Sequence, residues 1–321
     1  MKVIAIEEHF WSPGLRDSYP QRQVAFVRAL TGGARLDDVA DGRIAELDAA
    51  GIDVQVLSQW QPGAQDADAA TAVKLAAESN DFLAARIARH PDRFRGFATL
   101  PTPDPGAAAR ELMRCVEQLG FVGALINGHT KGEYLDEPKY RPILEAAAGL
   151  KVPIYLHPQT PHPEAVKAYF RDNFAFSQAA WGYTIETSTH ALKLLLSGIF
   201  EALPDLRIIL GHLGEGIPYS LWRFDHRITE NVNLPGGGYR QKRRPREIFL
   251  DHFLITTSGH FDPIALRCAI SMMGVERVLF ATDYPVESLA MAVDFLNGSH
   301  ITDEERTSIA HRNAERVLRI A

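Results

Sequence analysis

Apolar residues in this chain follow two alternating patterns. Short β-branched runs bounded by turn-forming residues occur at 3–6, 54–57, 94–99, 123–126, 153–156, 207–210, 253–256 and 278–281. Longer stretches with apolar positions three and four apart separate them, at 36–50, 68–90, 105–119, 140–148, 186–203, 263–273 and 302–320. Nearly continuous apolar runs suit strands buried on both faces, and the longer stretches suit helices packed over them. The repeated alternation predicts an α/β fold, a (β/α)8 TIM barrel. An open doubly wound sheet is the competing architecture, but no G-x-G-x-x-G loop follows the first run. Neither an internal repeat nor a composition shift divides the chain, so one domain is expected over 1–321. The connections at 11–35, 158–185 and 225–248, after strands 1, 5 and 6, are longer than such turns require. Loops after strands lie on the active face of a barrel, so all three are expected to cover a pocket.

Composition narrows the function. Of 321 residues, 46% are hydrophobic, ample for a large core, and a net charge of −6 with pI about 6.1 offers no basic field to nucleic acid or anionic lipid. The basic run Gln241-Lys-Arg-Arg-Pro-Arg246 reads as a solvated loop or helix start. Two cysteines, Cys115 and Cys268, cannot build a disulfide framework or a thiolate metal site. With neither a secretory pattern at the start nor an apolar window of membrane-spanning length, a cytoplasmic protein is expected.

Candidate chemistry gathers where the strands stop. In Glu7-Glu8-His9 alternation puts Glu7 and His9 on one face of strand 1 and Glu8 on the other, toward the helices. Strand 5 ends in His157 and strand 8 in Asp283, so two imidazoles and two carboxylates converge on one rim. That mixed set suits one divalent ion, zinc or manganese, and no strand-end lysine is placed to bridge a second. Strand 6 runs into Leu210-Gly-His-Leu-Gly-Glu-Gly216, where a helical turn would let Glu215 hydrogen-bond His212 and raise its basicity. His212 is thereby a catalytic or carbonyl-polarising candidate. Arg223 could meet a substrate carboxylate as a planar fork, or instead pair with Asp225 or pack on Trp222. His260 and His129 are candidates to line the pocket, and Trp60, Phe176 and Trp181 to pack an aromatic substrate, against the alternative of ordinary core. Glu186 and His190, four apart on a helix, read as a helix-stabilising pair.

On these residues the chain resembles the amidohydrolase superfamily, in its branch of metal-dependent decarboxylases of aromatic acids, typified by γ-resorcylate and 2,3-dihydroxybenzoate decarboxylases. The resemblance runs nearly end to end. It rests on Ile6-Glu-Glu-His-Phe10 in place of the usual H-x-H, Val152-Pro-Ile-Tyr-Leu-His-Pro158, Gly211-His-Leu-Gly-Glu-Gly-Ile-Pro-Tyr219, Trp222-Arg-Phe-Asp-His-Arg227 and Phe280-Ala-Thr-Asp-Tyr-Pro-Val-Glu287. It implies that Glu7, His9, His157 and Asp283 take the ligand positions, His212 and Glu215 the catalytic pair, and Arg223 a place beside the substrate. It further implies a zinc or manganese ion, a small aromatic carboxylic acid as substrate, and a homodimer or homotetramer. The loops at 11–35 and 159–185 match the family only loosely.

The reaction expected is nonoxidative decarboxylation of a hydroxybenzoate-type acid. In it a protonated Asp283 delivers a proton to the carbon bearing the carboxylate, and His212 handles the phenolic proton. Desolvation and repulsion from Glu7 would have to keep Asp283 protonated. Two rival readings use the same scaffold: mononuclear-metal hydrolysis of an amide or lactone, and a catalytically idle barrel used for binding.

Overall fold

The computed structural model describes residues 1–171, 173–230, 239 and 241–320. Among the described residues nine strand segments occur, two of which, Phe94–Gly96 and Ala98–Thr99, are halves of one strand interrupted at Phe97, which leaves eight. They are β1 (Ile4–Phe10), β2 (Val54–Gln59), β3 (those two halves), β4 (Ala124–Asn127), β5 (Ile154–His157), β6 (Ile208–Leu210), β7 (Phe253–Thr256) and β8 (Val278–Leu279). Every ladder is parallel and joins strands in chain order. At the interruption Phe97 N–H donates to Leu57 O at 2.9 Å and Ala98 N–H to Gly123 O at 2.8 Å, so the sheet continues through β3. The ring closes between its ends, where His9 N–H donates to Tyr284 O at 2.8 Å and Asp283 N–H to Glu7 O at 3.1 Å. This is the predicted barrel.

Local chemistry explains the sharpest boundaries. The helices Pro105–Leu119 and Pro263–Met273 begin where the sequence places them because Asp104 and Asp262 accept from Ala107 N–H and from Ile264 and Ala265 N–H, with proline in the first turn. Elsewhere periodicity overran the capping: the helix expected from 36 begins at Asp41, and the one expected over 186–203 runs Gly182–Leu196 and restarts at Ile199 after Gly198.

β1 departs from simple alternation. Ala5 pairs with Gln55 but Glu8 with Leu57, so β1 carries one more residue than β2 across this interval, a β-bulge. Below it Ile4 and Ile6 point into the barrel, packed with Val56, Phe97 and Ile209. Above it the phase is reversed, so Glu7 and His9 share the interior while Phe10 packs with the helix layer. The bulge thus lets an apolar plug and a polar site occupy the same face of one strand.

The first two long connections behave as expected. Residues 11–35 contain the helices Pro13–Ser18 and Gln21–Leu30, and Phe26, Leu30, Pro161 and Phe174 from the two connections wall the cavity over the C-terminal rim. The third does not. Helix Ile217–Glu230 carries the chain away from that rim, and residues 231–238 and 240 lie outside the described residues. Of the remainder, Lys242 N–H donates to Glu201 at 2.7 Å, and Arg243 shares a hollow with Pro153, Arg207 and Phe253, at the N-terminal ends of β5, β6 and β7. The basic run therefore sits at the opposite end of the barrel from the pocket.

Candidate active site

Glu7, His9, His157 and Asp283 each aim one ligand atom at a common point, with those atoms within 4.8 Å of one another. His157 Nε2 lies 3.4 Å from Glu7 Oε1, and His9 Nε2 lies 3.2 Å from Asp283 Oδ1. Each imidazole is fixed through its other nitrogen, His9 Nδ1 to Ser58 Oγ and His157 Nδ1 to Asn127 Oδ1, both at 3.1 Å. Asn127 is itself pinned by Gln65, which accepts from its N–H and donates to its carbonyl, both at 2.7 Å. Such partners set the tautomer that leaves Nε2 free to ligate.

Glu7 is clamped on one oxygen only. Its Oε2 accepts from the Tyr155 hydroxyl and from Thr256 Oγ1, while Oε1 and His9 Nε2 are buried with no hydrogen-bond partner among the described residues. Orphaned buried polar atoms are costly, and two converging on one point with a histidine and an aspartate make a socket that a divalent cation fits. The nitrogen and oxygen donors, with no thiolate, suit a borderline or hard ion. Glu8 points the other way, as alternation predicts. It accepts from Gln55 Nε2 and Thr282 N–H at 2.9 Å and Thr282 Oγ1 at 2.6 Å, and burial pushes its carboxyl up to about 8.

Beside the socket, His212 Nδ1 meets Glu215 Oε1 at 2.7 Å and Nε2 lies 3.7 Å from Asp283 Oδ2. The contact with Glu215 is as expected, but not from a right-handed helix. His212, Leu213, Gly214, Glu215 and Gly216 have φ of 50°, 53°, 80°, 54° and 74°, a left-handed turn that three non-glycine residues adopt at a cost. At Gly214 a Cβ would also stand 2.9 Å from Ile255 and Pro218. Gly211 precedes the turn with an ordinary φ of −71°, and its Cα faces the socket: a Cβ there would lie 2.9 Å from Glu7 Oε2.

Without an ion, the charges around the site favour a proton on His212 over one on Asp283. Burial opposes charge on His212, but Glu215 and Glu7 outweigh it and raise its pKa well above the usual value. Burial would raise Asp283, yet the neighbouring His212 and His9 imidazoles hold it well below the carboxylate range. Glu7 is the carboxyl that desolvation raises, and burial followed by repulsion from His9 pushes His157 far down, leaving it neutral. In the ion-free protein, then, His212 rather than Asp283 carries the proton.

These groups floor a cavity of about 880 Å³, in which Trp60 stands edge-on to His9 with ring centroids 5.3 Å apart. His129 and Trp60 reach the wall, as expected. Arg223, His260 and Trp181 do not line it. Arg223 is on the exposed face of its helix, and its alternative partner Asp225 is taken by Arg244 at 2.6 Å. His260 is exposed in the turn after β7, and Trp181, 48% exposed, precedes helix Gly182–Leu196 with its ring off the wall. Phe176 packs edge-on to Phe170. Glu186 and His190 do not pair: His190 Nε2 accepts from Leu135 N–H at 2.9 Å, and Glu186 Oε1 has no partner among the described residues. Sequence reasoning overlooked Tyr155, although it shares a strand face with His157, and gave no role to Ser58 and Asn127, which stand in β2 and at the end of β4.

The amidohydrolase family model matches residues 6–320. The chain is 42% identical to γ-resorcylate decarboxylase of Rhizobium radiobacter over 99% of this chain and 98% of that one. It superposes on 5-carboxyvanillate decarboxylase from Sphingomonas paucimobilis with a TM-score of 0.94, at 37% identity and covering 100% and 99% of the two chains. A dihydroxybenzoic acid decarboxylase from Polaromonas sp., solved with bound manganese and 2-nitroresorcinol, superposes at 0.89 with 41% identity over 99% and 97%. With a parallel barrel, a four-residue metal socket on its C-terminal rim and end-to-end similarity of this order, the chain belongs to the amidohydrolase family, in its aromatic-acid decarboxylase branch.

Proposed function

We propose that this protein catalyses nonoxidative decarboxylation of a hydroxybenzoate-type acid at the floor of this cavity. The observation that carries the reading is the placement of His212 Nε2, backed by Glu215, 3.7 Å from Asp283 Oδ2 at the edge of the four-residue socket, a proton donor beside the point where a chelated acid would sit. Glu7, His9, His157 and Asp283 hold one divalent ion, manganese as in relatives or zinc. When bound, that ion supplies positive charge for the substrate carboxylate and its ortho oxygen.

The chain's own groups do the rest. Trp60 and the cavity walls hold the ring and exclude water. His212 passes its proton through Asp283 Oδ2 to the carbon bearing the carboxylate; the bond to that carboxylate breaks, carbon dioxide leaves, and the ring regains aromaticity. Glu215 keeps His212 oriented and recharged from solvent. Glu8 organises the backbone behind the site and takes no part in proton transfer. The protein is read as a single-domain, cytoplasmic homo-oligomer; no described helix is long and apolar enough to cross a membrane.

The test is product analysis with manganese-loaded enzyme on a panel of ortho-hydroxybenzoates. Release of carbon dioxide with the matching phenol supports the reading. No carbon dioxide from any acid overturns it, and incorporation of labelled water oxygen from amides or lactones would establish hydrolysis instead.

A further inference from the structure

Resting on the decarboxylase reading, we infer that the substrate is a mono-acid whose ring carries an apolar substituent, which lies against Phe26, Leu30, Phe174 and Val286. The cavity, about 880 Å³, lies toward the upper end of the roughly 300–1,000 Å³ that drug-sized ligands occupy, far more than one hydroxylated ring fills. Its site groups His157, His212 and Asp283 lie at the floor, and Arg22, Gln23, Asp66 and Gln178 are polar side chains elsewhere in its lining. Above Trp60 the walls come from helix Gln21–Leu30 and from 158–185, and there Phe26 meets Phe174 edge-on with centroids 5.8 Å apart. These side chains stay largely open, Phe26 at 52%, Leu30 at 51% and Phe174 at 59% exposure, although they continue the wall of a cavity that ends at His212 and Asp283. Apolar surface contiguous with a reaction site is matched by an apolar part of the reactant.

Charge disfavours a second acid group away from the floor, where His212 and the ion serve the reacting carboxylate. Among the described residues lining the cavity, Asp66, Asp283 and Glu287 face a single arginine, Arg22, on the outer helix, and no lysine. The Glu287 carboxylate has no hydrogen-bond or ion-pair partner among the described residues and is free to accept from a ring hydroxyl; a second carboxylate on the outer part of the ring would meet carboxylates.

The experiment compares kcat/KM of the manganese enzyme for 2,6-dihydroxybenzoate, for that acid with an n-propyl group at ring carbon 3 or 4, and for it with a second carboxylate at those carbons. A fully buried methylene is worth about fourfold, so three carbons against this half-open wall give an expected gain of about tenfold for the better propyl isomer. The diacids are expected to fall at least tenfold below the parent. In Phe26→Ser/Leu30→Ser the ratio of propyl to parent acid drops toward one. A parent acid turned over as well as both propyl isomers overturns the inference, as does a diacid turned over as well as the parent, and both outcomes leave decarboxylation standing. No turnover of any member refutes decarboxylation itself.

Discussion

Gly211→Ala isolates how closely the turn after β6 is built against the metal socket. Gly211 has φ −71°, which alanine adopts freely, so the substitution has no backbone penalty and acts only through the methyl. That methyl would stand 2.9 Å from Glu7 Oε2, 3.2 Å from Glu7 Oε1 and 3.0 Å from Ser258 Oγ. Nonbonded contacts prefer roughly 3.5 Å or more, so the methyl and the carboxylate must separate by about half an ångström. Glu7 is fully buried and held by Tyr155 and Thr256, so displacing it disturbs both the clamp and the ligand geometry. Overpacking of this kind costs about 1–3 kcal/mol, and loss of ligand positioning weakens a metal by about 10- to 100-fold. The assay pairs chelator-competition titration of manganese with melting of the metal-free and metal-loaded protein. Both melting temperatures should fall, the loaded one further, because stabilisation by a ligand shrinks as its affinity drops. Gly149→Ala, at a helical position with open space around its Cβ, serves as the control. Manganese affinity within threefold of the parent would refute the reasoning.

Three further perturbations separate the roles of neighbouring groups. Glu215→Gln removes the charge that raises His212, so the alkaline limb of kcat should move to lower pH; an unmoved limb would detach the pair from the proton transfer. In the metal-free protein the raised His212 also stabilises the fold fully below its unfolded pKa of about 6.5 and loses this as pH rises through the folded value, a dependence that urea titrations of Glu215→Gln should show weakened. Asn127→Ala frees His157 Nδ1 and should weaken manganese by about 10- to 100-fold while leaving the pH limb in place; unchanged affinity would make Asn127 a bystander. Glu8→Gln should keep manganese affinity within about tenfold, where Glu7→Gln loses far more. Because burial raises Glu8 from 4.5 to about 8, the parent loses stability as pH climbs through that window, by up to about 4–5 kcal/mol. The variant should lack this loss in denaturant titrations from pH 5 to pH 9.

The barrel and its four candidate ligands were legible because each depends on local pattern. Apolar strands between amphipathic helices read directly, and Glu7, His9, His157 and Asp283 stand out as polar residues ending apolar runs. Asp104-Pro105 and Asp262-Pro263 fixed two helix starts for the same reason. What was illegible depends on residues far apart in the chain. The bulge in β1 appears only against the register of β2, and without it the interior positions of Ile6 and His9 conflict. Gly211, Gly214 and Gly216 announced a turn at His212 but not its left hand. The proton's place follows from four groups acting together, which no strand end announces. Arg223, His260 and Trp181 have suitable chemistry and lie in connections that follow strands, yet helix phase and turn direction point them away from the cavity.

The seam between β1 and β8 has a topological consequence. Glu8 and Thr282, 274 positions apart, hydrogen-bond across it, and the socket straddles it, with Glu7 and His9 contributed from one side and Asp283 from the other. An ion held there ties the first strand of the barrel to the segment after the last and closes a long loop of the chain, much as a reversible crosslink would. Constraining so long a loop removes a large share of the freedom of the unfolded chain. Ion binding then reinforces a closure that the seam's backbone hydrogen bonds already make, and amides along this seam should be the first to lose hydrogen-exchange protection when the ion is withdrawn.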